Sequence, residues 1–307
     1  MIGLVRGRES PSGAAAAAAA AGVASLLRGG LPAVRALAVL AEERTETPLL
    51  ADVAGRTARG EPAPLALAAQ DGPEWRAIAV AWRLADESGA QLAPALDRIA
   101  TALRDIADSA ARRDALLAGP RATVRLVCTL PPVAGLLGGL LGFDPLPVLL
   151  SPAGVALMLI GFALLWCGIR WAKSMQNAAS QGDRVHGLEL ELGWIVVNGG
   201  APPESVRRRV VDAVDALGAE WIGFDRFLAD SPLASALESA RSTGVPLGPM
   251  LLEAAAAERS AARAELERAA ERLGVRVLVP LGVCVLPSFI VLGVAPVLIT
   301  MLRGVGG

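Results

Sequence analysis

The 307-residue sequence has no tyrosine, a single histidine and only three cysteines, so the side chains that most often carry nucleophilic, acid–base or metal chemistry are nearly missing. His186 follows Gln181-Gly182-Asp183 in a polar linker and reads as a solvated surface residue. Cys128, Cys167 and Cys284 fall in three separate apolar runs with no Cys-x-x-Cys pair; they read as small packing residues, not as a zinc site or a disulfide. Neither charge sign is in excess: 29 Lys plus Arg stand against 30 Asp plus Glu, for a formal net charge of -1. That balance gives no basic surplus for nucleic acid and no acidic surplus for a disordered tail. The glycine-rich Gly135 to Gly142 is not followed by the Lys-Ser/Thr of a phosphate loop, so any ATP-driven role needs a separate ATPase. These gaps predict no catalytic residue, no cofactor and no resident metal.

Apolar residues are abundant: 53% of the chain is hydrophobic, 19% is charged, and the mean hydropathy is +0.49. They cluster in Leu126 to Phe143, Pro145 to Ile169 and Val277 to Leu302, none of which contains Asp, Glu, Lys or Arg. About 20 helical residues cross a hydrocarbon core. Three membrane spans are therefore expected, at residues 122–143, 146–169 and 277–302, the first with Arg125 snorkelling. Arg121 and Arg125 precede the first run and Arg170 and Lys173 follow the second, while Gly142 to Pro147 carries no basic residue. The hairpin tip is then outside and the N-terminus cytosolic. Trp166 and Trp171 fall near the inner boundary, where indoles favour the interface. No charge is stranded within a span, which argues against an ion-coupled pump. Pro131, Pro132, Pro152, Pro280, Pro287 and Pro296 are expected to kink or open their helices. Residues 1–29, with Arg6, Arg8 and Ala14 to Ala21, read as an Ala-rich helix that is interfacial or frayed; a weak fourth span and a cleaved signal are the other readings.

The soluble stretches, residues 30–121 and 170–276, read as helices separated by Gly and Pro. Pro32 to Glu43, Pro48 to Arg59 and Trp75 to Asp86 are the early ones, with a break at Gly60-Glu61-Pro62. Next, Leu92, Leu96, Ile99, Leu103, Ile106 and Ala110 recur at helical spacing, placing Asp97, Arg98, Arg104, Asp105, Asp108 and Arg112 on the wet face. In the second stretch Glu189 to Val197, Pro203 to Leu217, Pro232 to Ala240 and Val245 to Glu271 repeat the plan. The last of these has Ala254, Ala257, Ala261 and Ala264 as its expected apolar face. No segment alternates like a strand. Shifting the chain by 155 positions pairs Ala85 with Ala240, Gly89 with Gly244, Leu92 with Leu247, Pro94 with Pro249, Gly119 with Gly274, Val124 with Val279 and Pro132 with Pro287. One ungapped register of Gly and Pro matches points to a tandem duplication with the Pro145 to Ile169 span inserted between copies.

Three local features suit a partner-facing surface. Asp86-Glu87-Ser88-Gly89 is expected to cap and start the long helix, with Glu87 also placed to meet a partner. Arg207-Arg208-Arg209 sweep most of a helix circumference, so as well as forming a solvated face they can reach anionic lipid or an acidic partner. Arg112-Arg113 has the same two readings.

The order of Gly30 and Pro32, Gly60 to Pro62, Asp86-Glu87-Ser88-Gly89-x-x-Leu92-x-x-x-Leu96, a long helix and Gly119-Pro120 before a span resembles the F domain of type II secretion systems. Gly244-x-x-Leu247-x-x-x-Leu251 up to Leu302 is similar to the same domain in degenerate form. The pair resembles the inner-membrane platform proteins of the tight-adherence (Flp) type IV pilus machinery, the Tad B and Tad C class. The resemblance covers roughly residues 30–142 and 187–304. The family's Gly-Glu-x-Ser/Thr-Gly segment maps onto Ala85 to Gly89 with its first Gly replaced, and onto Ala240 to Gly244 with the acid missing. The resemblance implies an all-α, multi-pass inner-membrane protein with two homologous cytosolic helical-bundle F domains and three transmembrane helices. Its implied partners are a secretion ATPase, a paralogous platform protein or a second copy, and pilin or pseudopilin subunits, with no nucleic acid and no enzymatic activity. A membrane scaffold or sensor with unrelated partners, and a small transporter, are the alternative classes.

Overall fold

In a computed structural model, residues 11–44, 47–140, 151–180, 186–219, 221–276, 278–295 and 298 are described. They are helical, with no strand among them. In order, α1 is Pro11–Arg28, α2 Ala33–Glu43, α3 Pro48–Ala58, α4 Ala63–Ala68, α5 Pro73–Ser88 and α6 Leu92–Leu140. Then come α7 Pro152–Ser180, α8 Leu188–Asn198, α9 Pro203–Ala216, α10 Pro232–Thr243 and α11 Leu247–Arg276. A short 3-10 turn, Phe224–Phe227, lies between α9 and α10.

The boundaries follow from local chemistry. Pro48, Pro73, Pro203 and Pro232 open α3, α5, α9 and α10, where a missing amide hydrogen costs nothing. Gly89 and Gly244 end α5 and α10 in the left-handed region, at φ 78° and 72°, which a side chain would disfavour. Several helix boundaries keep one offset. Leu188 of α8 lies 155 positions after Ala33 of α2, and Pro203, Thr243 and Leu247 stand at the same remove from Pro48, Ser88 and Leu92.

Two expectations about these helices are corrected. Asp86, Glu87 and Ser88 form the last turn of α5 and do not cap α6, because Gly89 terminates the helix after them. The Ser88 hydroxyl donates back to the Leu84 carbonyl at 2.6 Å. Nor does the Ala-rich segment lie on a surface or fray: Ala16, Ala17, Ala19, Ala20, Val23 and Ala24 of α1 are buried in the core. Alanine yields little transfer energy per residue but lets helix axes approach closely. At Gly22 even a Cβ would meet a Leu40 methyl at 2.8 Å. Its apolar stretch, Gly13–Arg28, is also shorter than a membrane crossing requires.

The helices form two compact units. The first holds α1 to α5, α6 as far as Ala111, α8 to α10 and α11 as far as Arg263. Leu96, Ile99 and Leu103 of α6 are buried, joining Leu37, Leu50, Leu67, Trp75 and Leu84. Leu188, Leu190, Leu192, Val206, Val210, Leu233 and Leu251 belong to the same continuous core. The helices of the two soluble stretches thus share one core, with α5 packed on both α8 and α9. On the part of α11 that belongs to this unit the buried positions are Leu247, Leu251 and Ala255, while Ala257 and Ala261 are exposed. The leucines of the first two turns choose the face over the alanine stripe, since they bury more apolar area.

The second unit contains the rest of α6 and α11 together with α7 and residues 278–295. α6 runs without interruption through Gly119 and Pro120, so the boundary expected at 121/122 falls inside a helix. α7 starts where the Ser151 hydroxyl accepts from the Gly154 amide at 3.1 Å. Its Gly154–Met175 stretch has a mean hydropathy of 1.9 and is the one helix long and apolar enough to cross a membrane among the described residues. Gly154, Gly161, Gly168 and Ala172 line its buried face. At Gly161 a Cβ would collide with Leu292, and at Gly168 it would stand 2.9 Å from the Cys284 Cβ. The buried Ser288 hydroxyl donates to the Gly161 carbonyl at 2.8 Å, so the two segments pack antiparallel. Residues 281–285 and 290–294 form π-helical turns on either side of Pro287; such turns accommodate the missing proline donor. Pro296 and the expected hairpin tip around Asp144 lie outside the described residues.

Candidate partner-docking surface

The last turn of α5 and the middle of α9 meet on the surface of the first unit. The Glu87 carboxylate is bound by Arg83 one turn earlier at 2.6 Å, and the Glu87 carbonyl accepts from Arg209 at 3.4 Å. About three turns earlier along α5, Arg76 donates to the carbonyl of Gly218, just past the end of α9, at 3.1 Å. Gly199 at the end of α8 lets α5 approach closely, since a Cβ there would collide with Ser88. Burial pushes the carboxyl of neighbouring Asp86 up, opposed by a bond from Trp82. Arg208 is exposed. Arg207 lines a cleft of about 290 Å³ with Pro203, Glu204, Leu237, Glu238 and Arg241, across which Arg241 faces Glu204 at 3.8 Å.

Glu87 and Arg209 are therefore neighbours, although 122 positions separate them, and Arg207 and Arg208 share the α9 helix. Arg112 and Arg113 belong to the second unit. There Arg112 pairs with Glu267 of α11 at 3.6 Å, both side chains more than half exposed; such a pair contributes about 0–1 kcal/mol.

A second constellation was not anticipated from the sequence. Glu191 of α8 is buried, and Arg98 donates to it twice, at 3.0 and 2.9 Å. Arg259 of α11 adds a bond at 3.1 Å and reaches Asp105 at 3.2 Å, where Arg263 joins at 3.4 Å. The Arg98 guanidinium also stands 5.9 Å from the Trp194 ring. Arg98 and Asp105, expected on the wet face of α6, instead bind this buried network. Fork geometry and several partners make such a network rigid, and costly to break at one member.

On the same helix Glu189 is fully buried and neither carboxylate oxygen has a hydrogen bond. Arg226 approaches it at 3.5 Å but also holds Glu258 at 3.2 Å and the His186 ring at 2.7 Å. Burial is the main force pushing the Glu189 carboxyl up to about 7, against the pull of Arg226. His186 is accordingly a half-buried partner of Arg226, not the solvated residue expected. The only hint in the sequence was Leu188-Glu-Leu-Glu-Leu192 itself, with two acids set among leucines. No group of three or more His, Cys, Asp or Glu fit to hold a metal occurs among the described residues.

Among the described residues, the buried network supplies rigidity and the α5–α9 surface exposes charge that a partner can meet. Comparison with known proteins bears on what it binds. No curated protein and no solved structure matches the chain. Residues 20–138 match the family model of the type II secretion system (T2SS), protein F, a stretch that spans α1 from Ala20, all of α2 to α5 and nearly the whole of α6. Residues 20–138 are thus similar to protein F of type II secretion systems, a family of inner-membrane platform proteins.

Proposed function

We propose that this protein is the platform of a pilus or secretion machine of the tight-adherence kind, occupying a Tad B- or Tad C-like seat and coupling a cytosolic secretion ATPase to pilin assembly. The match to protein F over residues 20–138 carries the reading. The 155-residue offset of helix boundaries supports a second, degenerate F domain within residues 170–276. On this reading the chain works as a dimer or with a paralogous platform protein.

Three spans with a cytosolic N-terminus complete the proposal. Support comes from α7, whose small residues face inward while Leu159, Phe162 and Trp166 are exposed, the reverse of a water-soluble helix. A cysteine placed at Asp144 should react with a membrane-impermeant thiol reagent in whole cells, and cysteines at Gln181 or Thr243 should not. Labelling of the latter two in intact cells would overturn the topology.

Glu87, Arg207, Arg208 and Arg209 of the first unit are the proposed docking residues for the motor, and Arg112 and Arg113 of the second are proposed as docking residues in their own right. Charge on an exposed rim steers and orders an encounter more than it stabilises the fold. Glu87→Lys, or glutamates at all three of Arg207, Arg208 and Arg209, should abolish piliation and co-purification of the ATPase while membrane abundance stays unchanged. Normal piliation in both variants would remove these residues from the interface.

A further inference from the structure

α7 presents to its surroundings a stripe that its own unit leaves uncovered. Val155, Leu159, Phe162 and Trp166 recur at steps of four and three and are 42%, 67%, 58% and 65% exposed. Arg170 and Lys173 continue the same face and are exposed too. The Arg170 guanidinium lies over the Trp166 ring at 5.5 Å from its centroid, so its charge is held against the aromatic ring and not left to wander. No acidic residue occurs anywhere in α7, leaving both cations uncompensated within the helix. The order along the helix is thus aliphatic, aromatic, basic. From Phe162 to Arg170 the rise is about 12 Å, close to the depth of one leaflet's hydrocarbon, about 15 Å.

We propose that this stripe is a binding site for an anionic phospholipid, its phosphate on Arg170 and Lys173 and its acyl chains along Trp166, Phe162 and Leu159. A membrane helix from another protein fits the stripe poorly. Helix pairs in lipid select small residues that let backbones approach, and the small residues of α7 are already used, Gly161 against Leu292 and Gly168 against Cys284. Bulky side chains ending in two cations suit acyl chains ending in an anionic headgroup. The inference rests on α7 crossing the bilayer and not on the pilus assignment, so loss of piliation in other variants leaves it standing.

The test uses the full-length protein in detergent, offered equal amounts of phosphatidylglycerol and phosphatidylcholine with identical acyl chains, with bound lipid read by native mass spectrometry. Phosphatidylglycerol should be retained about tenfold over phosphatidylcholine, from roughly 1 kcal/mol per basic residue near the headgroups less screening. The double variant R170Q/K173Q should bring the ratio to about one, whereas R170K/K173R, which keeps both charges, should hold the preference and so exclude misfolding as the cause. Equal retention of the two lipids by the unmodified protein, or an unchanged preference in R170Q/K173Q, would overturn the proposal. So would a photo-crosslinker at Phe162 that captures a protein helix in native membranes in place of lipid.

Discussion

Replacing Arg98 by aspartate should loosen the seam between α6 and α8 by about 3–5 kcal/mol, the usual cost of breaking a buried charge pair on one side. Arg98 supplies two of the three hydrogen bonds that hold Glu191, a side chain only 1% exposed. The substitution removes both and sets a second carboxylate beside the first, leaving Glu191 with the single bond from Arg259, which also reaches Asp105. Arg98→Lys should fall between, because an ammonium keeps the charge and loses the fork. Arg104→Asp, at an exposed position of the same helix, should stay within about 0.5 kcal/mol of the parent. Hydrogen exchange of the α8 amides in the full-length protein in detergent reads the difference directly. Equal protection in the Arg98 and Arg104 variants would show that Glu191 does not depend on the pair.

The second large effect should be one of pH, and its sign is opposite to that of a salt-bridged acid. Burial holds the Glu189 carboxyl at about 7, above the ordinary glutamate value of 4.5. Below pH 4.5 both folded and unfolded chains carry the proton, and nothing is lost. Between 4.5 and 7 the folded protein keeps a proton that the unfolded chain releases, so stability falls as pH rises, by about 1.4 kcal/mol per unit at most. The loss amounts to about 3 kcal/mol and levels off above pH 7. Glu189→Gln should remove this slope and protect the α8 amides more than the parent at pH 8, while matching it near pH 5. Arg226 keeps Glu258 and His186 in that variant. A parent protein whose α8 protection is flat from pH 5 to 8 would mean that Glu189 shares its charge with Arg226 throughout.

Most helices were legible because their ends are written in backbone chemistry. Pro48, Pro203 and Pro232 start helices and Gly89 and Gly244 stop them whatever surrounds them, so the expected limits of α2, α3, α9 and α10 lie within a few residues of the observed ones. Burial was legible only where the signal was bulky. Leu96, Ile99 and Leu103 announced their face, but the alanines of α1 bury by proximity, which composition does not encode, and those of α11 yielded to Leu247 and Leu251. The charged network was hidden for another reason. Arg98 finds Glu191 across 93 positions and Arg259 finds it across 68, so each looks like a solvated residue on its own helix. The neighbourhood of Glu87 and Arg209 was out of reach for the same reason, although each was singled out separately.

The antiparallel contact of α7 with residues 278–295 and the grip of Arg98 and Arg259 on Glu191 share a property that concerns biosynthesis. In each, the closing partner is made well after the element that it holds. When α8 leaves the ribosome, Arg98 already exists, but Arg226, Glu258 and Arg259 do not. The 68 residues from Glu191 to Arg259 take about 3–14 s at bacterial or eukaryotic elongation rates of roughly 5–20 residues per second. α7 waits longer still for Ser288 and Leu292, with Gly161 and Gly168 uncovered until then. Both contacts therefore wait for the stretch that follows Leu247, which supplies Arg259 to the one and Ser288 to the other.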